Sequence, residues 1–182
     1  MEMTGEQLIP ALQVAVWRGL NDPDVLKACI SGCESIEKLT DTEYTVVTTA
    51  AIGPVKAKFR GKLRLADLDP PNSYSLSFDG QGGAAGFAKG SAKVSLATEA
   101  TGTRLSYTVN AQVGGKLAQI GSRLIDGVAK KLADDFFAAF NQNIAGPAPP
   151  AAEPSAEAVP GAAPLWWAVA IIAAMFLLAY YS

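Results

Sequence analysis

At 182 residues with a net charge of −2, the chain is sized for one domain plus an appendage, and its charge excludes a strongly electrostatic nucleic-acid binder. It contains no histidine. That removes the commonest general base, the commonest zinc ligand and every Ser-His or Cys-His pair.

The N-terminus has no basic segment followed by an apolar run, so no secretory signal is read and the domain is expected in the cytoplasm. Residues 2–9 make a weakly patterned strand that stops before Pro10. From Ala11 to Leu20 the stripe Leu12, Val16, Trp17 and Leu20 predicts a helix. Asn21-Asp22-Pro23-Asp24 then signals a second, short helix reaching about Cys29, with Asp22 as cap and Pro23 at the first helical position. Cys29 and Cys33 are the only cysteines. They are too few for a structural zinc site and not spaced as a C-x-x-C redox pair, so reduced structural thiols and no metal are expected.

Strands follow. Tyr44 to Ile52 is rich in Thr, Val and Ala. Between Val55 and Leu65 the alternation is almost perfect: Val55, Ala57, Phe59, Gly61, Leu63 and Leu65 share one face, and Lys56, Lys58, Arg60, Lys62 and Arg64 the other. After a turn at Asp69-Pro70-Pro71-Asn72-Ser73, Tyr74, Leu76 and Phe78 mark the inward side of the next strand. Strands over about 88–98 and 103–113 put Val94, Leu96, Leu105, Tyr107 and Val109 inside. A final helix is predicted over about 116–143, with Leu117, Ile120, Leu124, Val128 and Leu132 as a stripe continued by Phe136, Phe137 and Phe140. These elements make an α+β fold in which a long helix lies across the concave face of a curved antiparallel sheet.

The domain is placed at residues 1–145. Residues 146–164 are dominated by Ala, Pro, Gly, Glu and Ser and read as a disordered linker. Leu165 to Tyr181 carries no charge, Gly or Pro, and its helix would extend ~25 Å, just short of a ~30 Å hydrocarbon core. Trp166 and Trp167 at one end, with Tyr180 and Tyr181 at the other, suit the interfacial aromatic belts. A single-pass C-terminal anchor over 165–182 is therefore expected, with the domain on the cytoplasmic side of the cell membrane.

Several features bear on function. The loop from Gly80 to Gly90 holds five glycines but lacks G-x-G-x-x-G and a following helix, which argues against a phosphate loop. It reads either as a flexible hairpin or as a mobile gate with Phe87 as its apolar element. The basic face of 56–64 is either a solvated sheet surface or a contact for anionic lipid or an acidic partner. The inward aromatic and leucine residues fill a core or surround a pocket, and periodicity alone does not choose between these.

Read together, Leu-Asn-Asp-Pro-Asp at 20–24, Cys-Ile-Ser-Gly-Cys-Glu at 29–34 and Gly-Pro-Val-Lys at 53–56 form a recognisable series. It continues with Asp-Leu-Asp-Pro-Pro at 67–71, Gly-Phe-Ala-Lys-Gly at 86–90 and Gly-Gly-Lys-Leu-Ala-Gln-Ile-Gly-Ser-Arg-Leu-Ile-Asp-Gly at 114–127. Over residues 1–144 the chain resembles the CoxG family of carbon monoxide dehydrogenase subunits, within the START-like (SRPBCC, helix-grip) superfamily. It departs at Ser31, where the family usually has proline. The resemblance implies a hydrophobic cavity under the long helix. It also implies association with a molybdenum-type carbon monoxide dehydrogenase or a related molybdenum hydroxylase, and recruitment of that enzyme to membrane lipid. A lipophilic cavity beside a redox enzyme suggests a respiratory quinone as ligand, with no cofactor of the protein's own. The residues expected to line the cavity are Phe59, Leu63, Tyr74, Leu76, Phe78, Gly83, Phe87, Leu96, Tyr107, Leu117, Ile120 and Leu124.

The rival readings are a scaffold with a filled core, a general lipid-binding START-like protein, and an enzyme. An enzyme without histidine would rely on Asp79, Asp126 or Tyr107. No catalytic role is expected.

Overall fold

The computed structural model describes residues 1–144. Its elements are β1 (Glu2–Ile9), α1 (Gln13–Leu20), α2 (Pro23–Cys29), β2 (Cys33–Lys38), β3 (Glu43–Ile52), β4 (Val55–Asp69), β5 (Ser73–Gln81), β6 (Phe87–Glu99), β7 (Gly102–Gly114), α3 (Lys116–Gln119) and α4 (Ser122–Ile144). All seven strands join one antiparallel sheet in the order β1-β7-β6-β5-β4-β3-β2. The sheet is a meander from β2 to β7, and β1 closes onto β7.

The α2 start follows from local chemistry. Asp22 accepts hydrogen bonds from the backbone amides of Asp24 and Val25, and Pro23 occupies the first turn, where no amide is needed. In α1, Val16 and Leu20 are buried, whereas Leu12 falls just outside the helix as its exposed cap. The strand β2 was not anticipated. Its sequence Cys-Glu-Ser-Ile-Glu-Lys offers one buried apolar residue, Ile36, so it lacks the alternation that betrays a strand.

The predicted single helix over 116–143 is two helices. Gly121 lies between them with φ +96°, a left-handed conformation that ends the first helix. The phase of the apolar stripe restarts at this break. In α4 the buried residues are Ile125, Phe137 and Phe140, while Leu124 is 45 % exposed.

The principal core lies between α1, α4 and one end of the sheet. Phe140 and Ile9 are fully buried there, among Val16, Leu96, Leu105 and Tyr74. Phe136 stacks on Phe140 at 5.6 Å and meets Phe137 edge-on at 5.3 Å. Thr103, also fully buried, donates its hydroxyl to the Ala11 carbonyl at 2.7 Å and so ties β7 to the start of α1.

One expectation is corrected. Among the described residues no helix is long and apolar enough to cross a membrane, and α4, the longest, is amphipathic with paired Lys and Asp on its exposed side. Among the described residues the architecture is therefore an α+β sheet and helix without a membrane helix, and the single-pass anchor and the membrane localisation built on it are not supported. The linker at 146–164 and the segment 165–182, with Trp166, Trp167, Tyr180 and Tyr181, lie outside the described residues.

Truncating Phe140 to Ala removes a fully buried ring and is expected to cost about 3–5 kcal/mol. Replacing Asp22 with Ala removes only a cap, for about 1 kcal/mol. Urea unfolding of the full chain should show a much larger fall in midpoint for the first variant than for the second, with the slope unchanged in both.

Candidate ligand cavity

Alternation fixes which side of each strand faces the helices. On β4 the inner residues are Phe59, Gly61, Leu63 and Leu65; on β5 they are Tyr74, Leu76, Phe78 and Gly80. Their register partners on β6 are Ala88, Gly90, Ala92 and Val94. The middle of the inner face is thus built from glycine and alanine. Across five strands one row reads Val46, Gly61, Gly80, Ala88, Val113, with three consecutive positions bearing one carbon or none.

Helix α4 does not descend to fill the gap. It packs chiefly on α2, α1 and the edge strand β1. The space left between helix and sheet is apolar and divides into two lobes. The larger, of about 420 Å³, has the whole row from Val46 to Val113 as its floor. Phe59, Phe78, Leu117, Ile125 and Leu132 form its walls. The smaller, of about 260 Å³, is floored by the row Leu65, Leu76, Ala92, Val109 and Met3. Tyr44, Tyr74, Tyr107, Phe136 and Phe137 enclose it. Ile30 and Leu63 line both lobes, so the two adjoin. Volumes of this size suit a small ligand.

Of the residues expected to line a cavity, Leu63, Tyr74, Leu76 and Tyr107 border the smaller lobe, and Phe59, Leu63, Phe78 and Leu117 the larger. Leu96 is buried in the principal core, outside both lobes. Ile120 packs against the Phe59, Ala85 and Leu117 cluster from outside. Leu124 is exposed. Gly83 sits at the start of a single 3-10 turn, Gly83–Ala85, with open space where a side chain would be.

Phe87 is not a gate over the cavity. It pairs with Gln81 and Gly114 one position out of phase with Ala88, so its ring covers Gly114 on the outer face beside the Lys89 ammonium at 5.7 Å. The alternation of Ala88, Ala92, Val94 and Leu96 carried this information. The glycine-rich loop is held down by Ala85, buried against Phe59 and Leu117, and Gly82 abuts the Phe59 ring so closely that a Cβ would overlap it. The contributions of Tyr44, Ile30, Phe136 and Phe137 were not read from sequence as lining. They come from β3, the cap that ends α2 and the far end of α4, which only the tertiary fold brings together.

The outer face carries the basic stripe. Lys58 pairs with Glu34 at 2.7 Å and Arg64 with Glu43 at 2.8 Å. The bonds from Lys58 and Thr49 hold the Glu34 carboxyl below the ordinary range. Arg60 and Lys62 have no ion-pair partner among the described residues. With Lys89, Ser77 and Asp79 they border a groove of about 980 Å³ that mixes polar and apolar surface. The groove is larger than either lobe, but polar atoms make up much of its lining, whereas both lobes are lined almost wholly by apolar atoms, the surroundings a lipophile requires. Asp79 accepts a hydrogen bond from Gln81 at 2.7 Å on this face, and Asp126 lies exposed on α4, so neither forms an acid–base pair inside the lobes. Burial pushes the thiols of Cys29 and Cys33 up; both are free and are poor nucleophiles.

Comparison with known proteins places this architecture. Residues 5–145 match the family of carbon monoxide dehydrogenase subunits described as CoxG. No curated protein matches. Among solved structures, a conserved protein from Geobacillus kaustophilus is 36% identical, with 80% of this chain and 95% of that one aligned at a TM-score of 0.75. A protein from Thermus thermophilus (17% identity, 79% and 97% covered, TM-score 0.61) and one from Chromobacterium violaceum (13%, 79% and 96%, 0.61) share the fold. On the match over nearly the whole described domain, the chain belongs to the CoxG family of carbon monoxide dehydrogenase subunits.

Proposed function

We propose that this protein is a non-catalytic accessory partner of a molybdenum-type carbon monoxide dehydrogenase, or a related hydroxylase, and that it holds a respiratory quinone in the two-lobed cavity. Membership of the family supports the link to the dehydrogenase. The observation that carries the ligand reading is the apolar cavity floored by Gly61, Gly80 and Ala88. Burying an isoprenoid chain there gains ~25 cal/mol per Å² of apolar area with no charged or catalytic group required. Quinone reduction takes two electrons and two protons, so a carrier of this kind lets the enzyme hand electrons to the membrane quinone pool.

The basic outer face is the surface we assign to the enzyme. It lies on the opposite side of the sheet from the cavity, so docking there leaves the ligand space untouched. Its Arg60 and Lys62 would steer an acidic partner, an effect that salt screens.

Lipid extraction and mass spectrometry of the full chain, purified from a quinone-containing host, should return a near-stoichiometric quinone. Replacing Ala88 with Leu fills the floor of the larger lobe and should lower the bound quinone at least tenfold while the domain stays folded. An empty wild-type protein that also fails to bind added quinone favours the scaffold reading. On the docking side, the double change Arg60→Glu with Lys62→Glu should weaken association with the dehydrogenase by about tenfold at low salt and leave quinone content unchanged. An unaltered affinity would remove this face from the docking surface.

A further inference from the structure

The smaller lobe contains three tyrosines, and their hydroxyls are not in the same situation. Tyr44 donates to the Asn21 carbonyl at 3.2 Å, so its proton is already used. Tyr107 stacks on Phe137 at 5.5 Å, and its hydroxyl lies over Gly5 at the sheet edge, beside a polar rim that includes Glu6, Asp126 and Lys130. Tyr74 is only 6 % exposed, and its hydroxyl has no hydrogen-bond partner among the described residues. Its ring is held edge-on against Trp17 at 5.5 Å.

A hydroxyl kept in apolar surroundings without a partner is costly, and such groups are rare unless something pairs with them. The only fully enclosed side-chain polar atom lacking a partner among the described residues is Asn141 Oδ1. The Tyr74 hydroxyl is therefore not sealed off by neighbouring atoms, and the residue borders the smaller lobe. Burial, with Tyr44 alongside, pushes this phenol well above the ordinary tyrosine range, so it stays a donor at any physiological pH.

We infer that Tyr74 donates a hydrogen bond to the polar end of the ligand and so sets both its class and its direction. The ligand is an amphiphile with a carbonyl-type acceptor at one end of an apolar chain. The acceptor end sits in the smaller lobe, and the chain passes Leu63 and Ile30 into the larger one over Gly61, Gly80 and Ala88. This assignment rests on the ligand-carrier reading and adds to it a head position and a selectivity rule. An apolar hydrocarbon of the same chain fits the space but leaves the Tyr74 donor unpaired, so it should bind less well than its quinone counterpart.

The test compares two probes on the full chain stripped of lipid: a ubiquinone with three isoprene units, and farnesene, which has the same number of isoprene units and no acceptor. Affinities are measured for wild type, Tyr74→Phe and Tyr44→Phe, with circular dichroism and thermal melts to confirm folding. For Tyr74→Phe the expected result is a three- to tenfold loss of quinone affinity, on the scale of one hydrogen bond. Its farnesene affinity should not change, and its melting temperature should be equal or higher, because the empty lobe no longer holds an unpaired hydroxyl. Equal effects on both probes, or none on either, would overturn the donor role. A loss of quinone affinity in Tyr44→Phe but not in Tyr74→Phe would overturn it in favour of a head seated at Tyr44. Binding of neither probe to wild type would instead overturn the carrier reading, and this inference with it.

Discussion

The contact that organises this molecule is between the C-terminal helices α3 and α4 and the inner face of a curved sheet, made where side chains are large and missed where they are small. Phe137 and Phe140 seat the far end of the helix among Ile9, Val16, Leu96 and Leu105. At the near end, Leu117 and the short α3 rest on Phe59 and Ala85. Between those two clusters the sheet offers Gly61, Gly80, Ala88, Gly90 and Ala92, which cannot reach the helix. Protein interiors close-pack wherever side chains can meet, so a void of this size persists only because rigid supports at both ends hold its walls apart. The cavity follows from the distribution of volume along the sheet rather than from any special residue.

That division also orders the stability. The aromatic cluster carries the packing that keeps the sheet and α4 together, and the lobes contribute little to it. Filling the gap would gain dispersion contacts and lose the cavity proposed to hold the ligand, a common opposition between stability and function. The same reasoning accounts for the turn after β5. Its glycines let Ala85 and Gly82 press onto the Phe59 ring, so the turn closes one wall of the larger lobe instead of swinging free over it.

Much of the fold was legible because alternation is a local signal. The inner and outer faces of β4 and β5 are written directly in Val55 to Leu65 and in Tyr74 to Phe78. The start of α2 was equally plain from Asp22 and Pro23. Three things were not legible, each for a physical reason. The strand β2 is short and charged, and only pairing with β3 makes it a strand. Gly121 sits within a continuous apolar stripe, so nothing in the periodicity reveals that its backbone turns left-handed and resets the phase. The row of small residues does not exist in any one segment: it appears only when Gly61, Gly80 and Ala88 are brought into register from three strands. Phe87 is a different case, since the alternation of its own strand already placed it outside, and the attraction of an aromatic residue in a glycine-rich loop outweighed that signal.

The two faces of the sheet differ in the chemistry they present. The inner face has lost bulk and polarity together, leaving Tyr74 as the single buried hydroxyl without a protein partner among the described residues of the lobe. The outer face has the short side chains of Ser77 and Ser91 beside Arg60, Lys62 and Lys89. A lipophile and an acidic protein surface have incompatible solvation demands, and a strand satisfies both at once because successive residues point in opposite directions. On β4 the pair Gly61 and Lys62 shows this at its smallest scale: one leaves room in the apolar cavity and its neighbour presents a charge to water. A one-residue slip of β4 would put lysines into the cavity and leucines on the surface, so the register that builds the apolar cavity also builds the basic face, and neither can be altered by shifting the strand without destroying the other.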